Sequence, residues 1–169
     1  VGTLVGMCMG GMRVIGEMQF SGFILSALHH MTDAAMQMQR TAGLMNMPLT
    51  VMLPFGGKSA IEYHNTCEMG LFAAIPGWTV VIPSTVQDFY DMLWASIASN
   101  RPVAFFAHTS LRRQITGDLI RRYPTRPIEQ FDVRVAKEGK HLVVCSYGML
   151  LHECLIAAEE AQKRHGITA

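Results

Sequence analysis

The chain has 169 residues, half of them hydrophobic and only 16% charged, with a formal net charge of +1. That length allows one full domain, or one domain and part of a second, with a sizeable buried core. The near-neutral balance, with no Lys/Arg run longer than two, excludes the electrostatic footprint of a nucleic-acid-binding protein or of one held to an anionic membrane surface.

The first residues, VGTLVGMCMGG, have no basic region before their apolar part and do not read as a signal peptide. They read as a helix over 1–12, with Gly2, Gly6, Gly10 and Gly11 forming a face expected to pack closely on a sheet. The Met7-Cys8-Met9 cluster is soft-metal chemistry on paper, but gap-filling core residues are the stronger reading. A strand over 13–20 follows, with Glu17 and Gln19 on one face and Met18 and Phe20 on the other. A long helix is predicted over 23–41, its apolar stripe running from Ile24 to Met38. His29 and Asp33 stand at i,i+4 on it and read as a surface pair, not a metal site.

The apolar run Leu49–Leu53 is a strand expected to stop at Pro54, before the glycine pair Gly56-Gly57. Polar and titratable groups then crowd together: Lys58, Glu62, Tyr63, His64, Asn65, Thr66 and Glu68. A short helical run over 68–74, the breaker Pro76-Gly77 and a strand over 78–82 complete the unit, and Pro83-Ser84-Thr85 is expected to cap a helix over 86–99. A strand over 102–107 closes the series. Regular strand–helix alternation predicts an α/β fold, a mostly parallel sheet with helices on both faces. Ligands of such sheets bind at the carboxyl ends of the strands, where this polar stretch lies.

From 108 to 130 five arginines (112, 113, 121, 122, 126) and two prolines (124, 127) mark a linker. Beyond it, 133–136 and 142–146 are expected to pair as strands across the turn Glu138-Gly139-Lys140, ahead of a helix over 149–163. The uncapped start and the residues 166–168, which read as a strand cut short, suggest a fragment. Cys8, Cys67, Cys145 and Cys154 have no metal-type spacing and point to a reducing compartment. No apolar stretch reaches about 18 residues without a polar break, so no membrane-spanning helix is expected.

The segment YHNTCEMGLFAAIPGWTVVIPST (63–85) resembles the signature of 2-oxo acid dehydrogenase beta subunits, members of the thiamine-diphosphate-dependent, transketolase-like superfamily. GEMQFSGF (16–23) resembles their Glu-Ile-Gln-Phe-Ala-Asp-Tyr/Phe segment, and RPVAFFAHTSLRR (101–113) their Pro-Val-Ile-Phe-Phe-Glu-Pro…Leu-Tyr-Arg segment. The resemblance implies a transketolase-like pyrimidine-binding domain over 1–113 lacking its N-terminal part, a linker over 114–130, and the truncated start of a transketolase C-terminal-type domain over 131–169. It implies thiamine diphosphate and Mg2+, the diphosphate and metal being held by an alpha subunit.

By position, the resemblance implies that Phe23 lies on the aminopyrimidine ring, that Gln19 and Glu17 belong to the same pocket, and that His64 is the active-site histidine serving acyl transfer to a lipoyl group. It also implies a K+ site on main-chain carbonyls around Leu49, Thr50, Ser96, Ser99 and Arg101. The implied partners are an alpha subunit, a second beta chain and the lipoyl acyltransferase component. The implied location is the cytoplasm, or the mitochondrial matrix in a eukaryote.

The chain departs from the family at Lys58–Glu62, where glycines are usual, and at Ala107-His108, where Glu-Pro is usual. The family's catalytic glutamate precedes the Val-Gly with which this chain begins. The expectation is therefore a beta-subunit fragment inactive alone. A transketolase or deoxyxylulose-phosphate synthase-like domain, and a non-catalytic self-associating domain, are the alternatives.

Overall fold

The computed structural model describes residues 1–57, 64–114 and 127–169, without the side chains of 113 and 114. Lys58, Glu62 and Tyr63 of the polar stretch and most of the linker, with Arg121, Arg122, Pro124 and Arg126, lie outside the described residues.

Four strands, β1 (Val14–Glu17), β2 (Leu49–Phe55), β3 (Thr79–Val81) and β4 (Val103–His108), form one parallel sheet in the order β1-β2-β4-β3. β2 and β4 are central and almost wholly buried, as continuous apolar runs demand when both faces of a parallel sheet are covered. Leu49, Val51, Leu53, Phe55 and Phe106 point into one core, beneath α1 (Gly2–Met9), α2 (Leu28–Arg40) and α3 (Met69–Ala74). Val103, Phe105 and Ala107 point into a second, beneath α4 (Val86–Ala98). The expected helix-covered parallel sheet is the observed one.

Pro54 does not end β2. The strand runs on through it, pairing Pro54 with Ala107 and Phe55 with His108. Alternate residues of a strand address alternate neighbours, and the Met52 carbonyl accepts the Met18 N–H. Pro54 shares that parity, so its missing N–H would point past the end of β1, where no ladder bond is lost.

The helix expected over 23–41 is two elements. Ser21–Ala27 is a 3-10 helix, and α2 begins only at Leu28. Ser21, Ile24 and Ala27 are all buried, a three-residue spacing that the 3-10 geometry brings to one face and the α-helix does not.

The close glycine face expected on α1 is also corrected. Val5 and Cys8 are its buried residues, while nothing approaches a Cβ built on Gly6. Gly2 is approached by the His30 ring of α2 and not by the sheet, and the close contact between α1 and the sheet occurs at Gly16 of β1, where a Cβ would fall 2.3 Å from Leu4 Cδ1. Of the Met7-Cys8-Met9 cluster only Cys8 reaches the core; burial pushes its thiol pKa up.

Helix α4 starts as its sequence predicts, with Thr85 accepting the Asp88 N–H at 3.1 Å. β4 leads into α5 (Thr109–Gln114). The hairpin expected over 133–146 is absent: Val133 and Val143 are 93% and 88% exposed, and neither segment is a strand. Instead the His141 N–H donates to the Thr168 carbonyl at 3.1 Å, after the helix α6 (Met149–His165). The neighbour of this segment is thus the stretch that follows α6, the outline of a crossover rather than of a turn. α6 is tethered to the sheet domain through Ser84, whose Oγ accepts the Gly148 N–H at 2.8 Å and whose carbonyl accepts from His152 Nε2 at 2.8 Å.

Candidate functional site

The site forms where β1 runs out. Phe20 is extended (φ −146, ψ 152), and the 3-10 helix that follows turns Phe23 back toward it. The chain returns to the same place at His64. The imidazole lies flat on the Phe20 ring, with centroids 4.0 Å apart and planes 10° apart. Phe23 meets the same imidazole edge-on at 5.7 Å and 86°, and meets Phe20 at 6.1 Å and 77°. Offset stacking and edge-to-face contact are the two favoured arrangements of such rings. The fully buried Ser21 donates its hydroxyl to the Thr66 carbonyl at 2.6 Å, fastening the His64 loop to the end of β1.

Of the residues singled out in the sequence, contacts therefore join Phe23 and His64, both directly and through Phe20. Glu17 is turned elsewhere. It shares the face of Ile15, and its Oε1 sits 3.0 Å from Arg112 Nη1 of α5. Gln19 is exposed at the bend after β1, with no side-chain contact to the ring cluster among those described. Phe20 and Ser21 were missed as site residues. The alternation that put Phe20 with Met18 made it a core residue, and only the position of the 64–66 loop reveals otherwise.

The glycine pair does adopt a tight loop. Gly56 has φ +63, and the His108 ring packs where its Cβ would be. His108 lies edge-on to Phe55 at 5.0 Å, and its Nδ1 accepts the Ser110 N–H at 3.2 Å. Burial there lowers its pKa from the ordinary 6.5, because the charged imidazolium is poorly solvated. Along the second face a groove of about 680 Å³ runs beside α4, walled by Met52, Phe89, Leu93 and Trp94 and reaching His108 and Arg112. This groove is not lined by Phe20, Phe23 or His64.

Around the K+ positions, Leu49 and Thr50 are buried in β2, and Ser99 Oγ accepts the Arg101 N–H at 3.1 Å. The carbonyls of Ile97 and Ser99 both accept hydrogen bonds from Arg13 Nη1. A guanidinium thus already brings positive charge to this loop. Ser96 turns its hydroxyl onto the Met92 carbonyl at 2.6 Å. His29 and Asp33 form the expected i,i+4 surface pair at 3.4 Å.

The fold agrees with comparison to known proteins. The chain is 36% identical over 170 residues to the 2-oxoisovalerate dehydrogenase subunit beta of Bacillus subtilis, covering 99% of this chain and 51% of the relative. It is 35% identical to the pyruvate dehydrogenase E1 component subunit beta of the same organism, with the same coverage. The chain thus spans about half the length of these relatives. A solved structure described as a split-gene transketolase, an inactive beta4 tetramer, superposes with a TM-score of 0.70 over 99% of this chain and 51% of that one, at 18% identity; it supports the fold. The domain family described as transketolase, pyrimidine binding domain, matches residues 1–114, and the chain belongs to that family.

Proposed function

We propose that this chain supplies the aminopyrimidine side of a thiamine-diphosphate site in the decarboxylating component of a 2-oxo acid dehydrogenase, as part of its beta subunit. The observation that carries this reading is the ring cluster Phe20–Phe23–His64 at the carboxyl end of β1, in a chain of the pyrimidine-binding family. An aminopyrimidine needs an aromatic face and a dry wall, and Phe23, 37% exposed beside a buried core, presents both. Thiamine diphosphate, when bound, supplies the electron sink for decarboxylation. His64 then has the residue type and the place to move a proton during acyl transfer to a lipoyl group, since a neutral imidazole carries one donor and one acceptor nitrogen.

The ring nitrogen of an aminopyrimidine also needs a carboxylate. Glu17 is engaged by Arg112 on another face, so it does not fill that role in this arrangement. The chain alone is therefore inactive in this reading. It works with an alpha subunit that holds the diphosphate and Mg2+, with a second beta chain and with a lipoyl acyltransferase component, in the cytoplasm or the mitochondrial matrix. Residues 1–113 form the pyrimidine-binding unit, 114–130 link it, and 131–169 open a second domain held through Ser84. A K+ ion between the start of β2 at 49–50 and the end of α4 with the turn after it (96–101) would share the Ser99 carbonyl with Arg13, so K+ is expected to raise the melting temperature only if Arg13 yields it.

The greater identity to dehydrogenase beta subunits, 35–36% against 18% for the transketolase neighbour, favours this reading over a transketolase. Decarboxylation assays on pyruvate and branched-chain 2-oxo acids test it, run with the chain alone and with an alpha subunit of either relative. Turnover only in the mixture supports the proposal. Turnover by the chain alone contradicts it.

A further inference from the structure

We propose that Phe20 and Ser21 are positioning residues for His64, gripping its loop from two sides with one dipeptide. The inference rests on the reading of His64 as the proton-handling residue of the site. Phe20 sets the plane of the imidazole: at 4.0 Å and 10°, any rotation about the ring's long axis loses the stacked face. Phe23, edge-on at 5.7 Å, closes a second direction. Ser21 sets the position of the backbone. Its hydroxyl is 0% exposed, and its short 2.6 Å bond to the Thr66 carbonyl joins residues 45 apart in sequence.

The two contacts divide the work. Phe20 stands extended at the end of β1, while Ser21 is the first residue of the 3-10 helix. Consecutive side chains on such a path leave in different directions, so one reaches the ring and the other the main chain two residues further on. The partners differ in exposure as well: Thr66 is exposed, Ser21 is not. Water can replace the hydroxyl at the carbonyl, so loss of Ser21 frees the loop without unfolding the core. A general base or acid must be held within a fraction of an ångström to act, and a loop histidine gains that only from such neighbours.

The test uses the 169-residue chain and needs no activity. Imidazole NMR spectra, with His64 assigned by His64→Gln, should show its ring protons displaced upfield of the other histidines by the Phe20 ring current. Phe20→Leu should abolish the displacement and Phe20→Tyr should retain it. Ser21→Ala should speed amide exchange at 64–66 by about tenfold, the factor one hydrogen bond of ordinary net strength supports, while α2 amides keep their rates.

An undisplaced His64 in the wild-type spectrum would overturn the proposal, even if no variant folds. So would a displacement that survives Phe20→Leu, or exchange that rises equally in α2. In the enzyme reconstituted with its alpha subunit, Phe20→Leu should lower kcat and leave KM for the 2-oxo acid unchanged. A well-packed His64 whose replacement leaves that enzyme fully active would instead overturn the functional reading, so the two failures are distinguishable.

Discussion

At the scale of single residues, three side chains carry checkable roles, one in the ring cluster and two beside the groove along α4. His64 is one, and its replacement by Gln in the reconstituted enzyme is expected to slow acyl transfer by about 10²–10⁴-fold, the usual cost of a lost general acid or base. Binding of the 2-oxo acid should change little, and stopped-flow measurement of acyl transfer separates the two. Arg112 is the second. Its pair with Glu17 is roughly half exposed on both sides, so Arg112→Ala should cost well under about 1 kcal/mol of stability. A larger loss would mean that the pair anchors α5.

His108 is the third. Its folded-state pKa lies below the ordinary 6.5, so the unfolded chain binds the proton more readily. Stability contributed by the neutral ring is therefore complete above about pH 6.5 and is lost as pH falls toward the folded pKa. Thermal melts from about pH 7.5 down to about pH 5.5 should show a steeper decline for the wild type than for His108→Gln. Parallel declines would count against this account of His108.

At the scale of elements, the strands and α4 were legible because their patterns are local. The Leu49–Leu53 run, the Thr85 cap and the alternation of Val14 with Glu17 each need only a few neighbouring residues to be read. The break between the 3-10 helix and α2 was not legible. An apolar stripe of period 3 and one of period 3.6 differ little over a single turn, and tertiary contact at Ser21 and Ile24 chose between them. The expected hairpin over 133–146 failed for a related reason: alternation identifies a strand-like stretch but does not name its partner, which here is Thr168. Of the site, Phe23 and His64 were legible from resemblance alone. Phe20 and Ser21 were not, because their importance depends on a loop more than 40 residues away.

Two elements carry checkable magnitudes. Thr85→Ala removes the cap of α4 and should cost about 1 kcal/mol, or about 2–4 °C in Tm for a domain of this size. Trp78 donates its indole N–H to the Met31 carbonyl at 2.9 Å in a buried position, tying β3 to α2. Trp78→Phe removes this bond while the Met31 carbonyl keeps its place in the α2 ladder, and should cost about 0.5–1.5 kcal/mol. Urea denaturation of both variants measures these losses against the wild type.

At the scale of the whole molecule, one face of the sheet is less well covered than the other. Among the described residues, α1, α2 and α3 cover one core, whereas its counterpart lies beneath α4 and the 128–131 segment; Ile15 is 46% exposed, and a groove of about 680 Å³ runs beside α4. Met7, Met9 and Met12 add exposed apolar surface near β1. Surface of this extent favours association, and sedimentation at micromolar concentration should find the chain oligomeric. A stable monomer would contradict that expectation.

The central claim, that Phe23 and His64 face the aminopyrimidine of thiamine diphosphate, is tested most directly by calorimetry. Thiamine diphosphate with Mg2+ is titrated into the chain alone, into the chain mixed with an alpha subunit, and into the mixture carrying Phe23→Ala. The account predicts no saturable binding by the chain alone, saturable binding in the mixture, and a marked weakening with Phe23→Ala. Binding in the mixture that is indifferent to Phe23, or saturable binding by the chain alone, would contradict it.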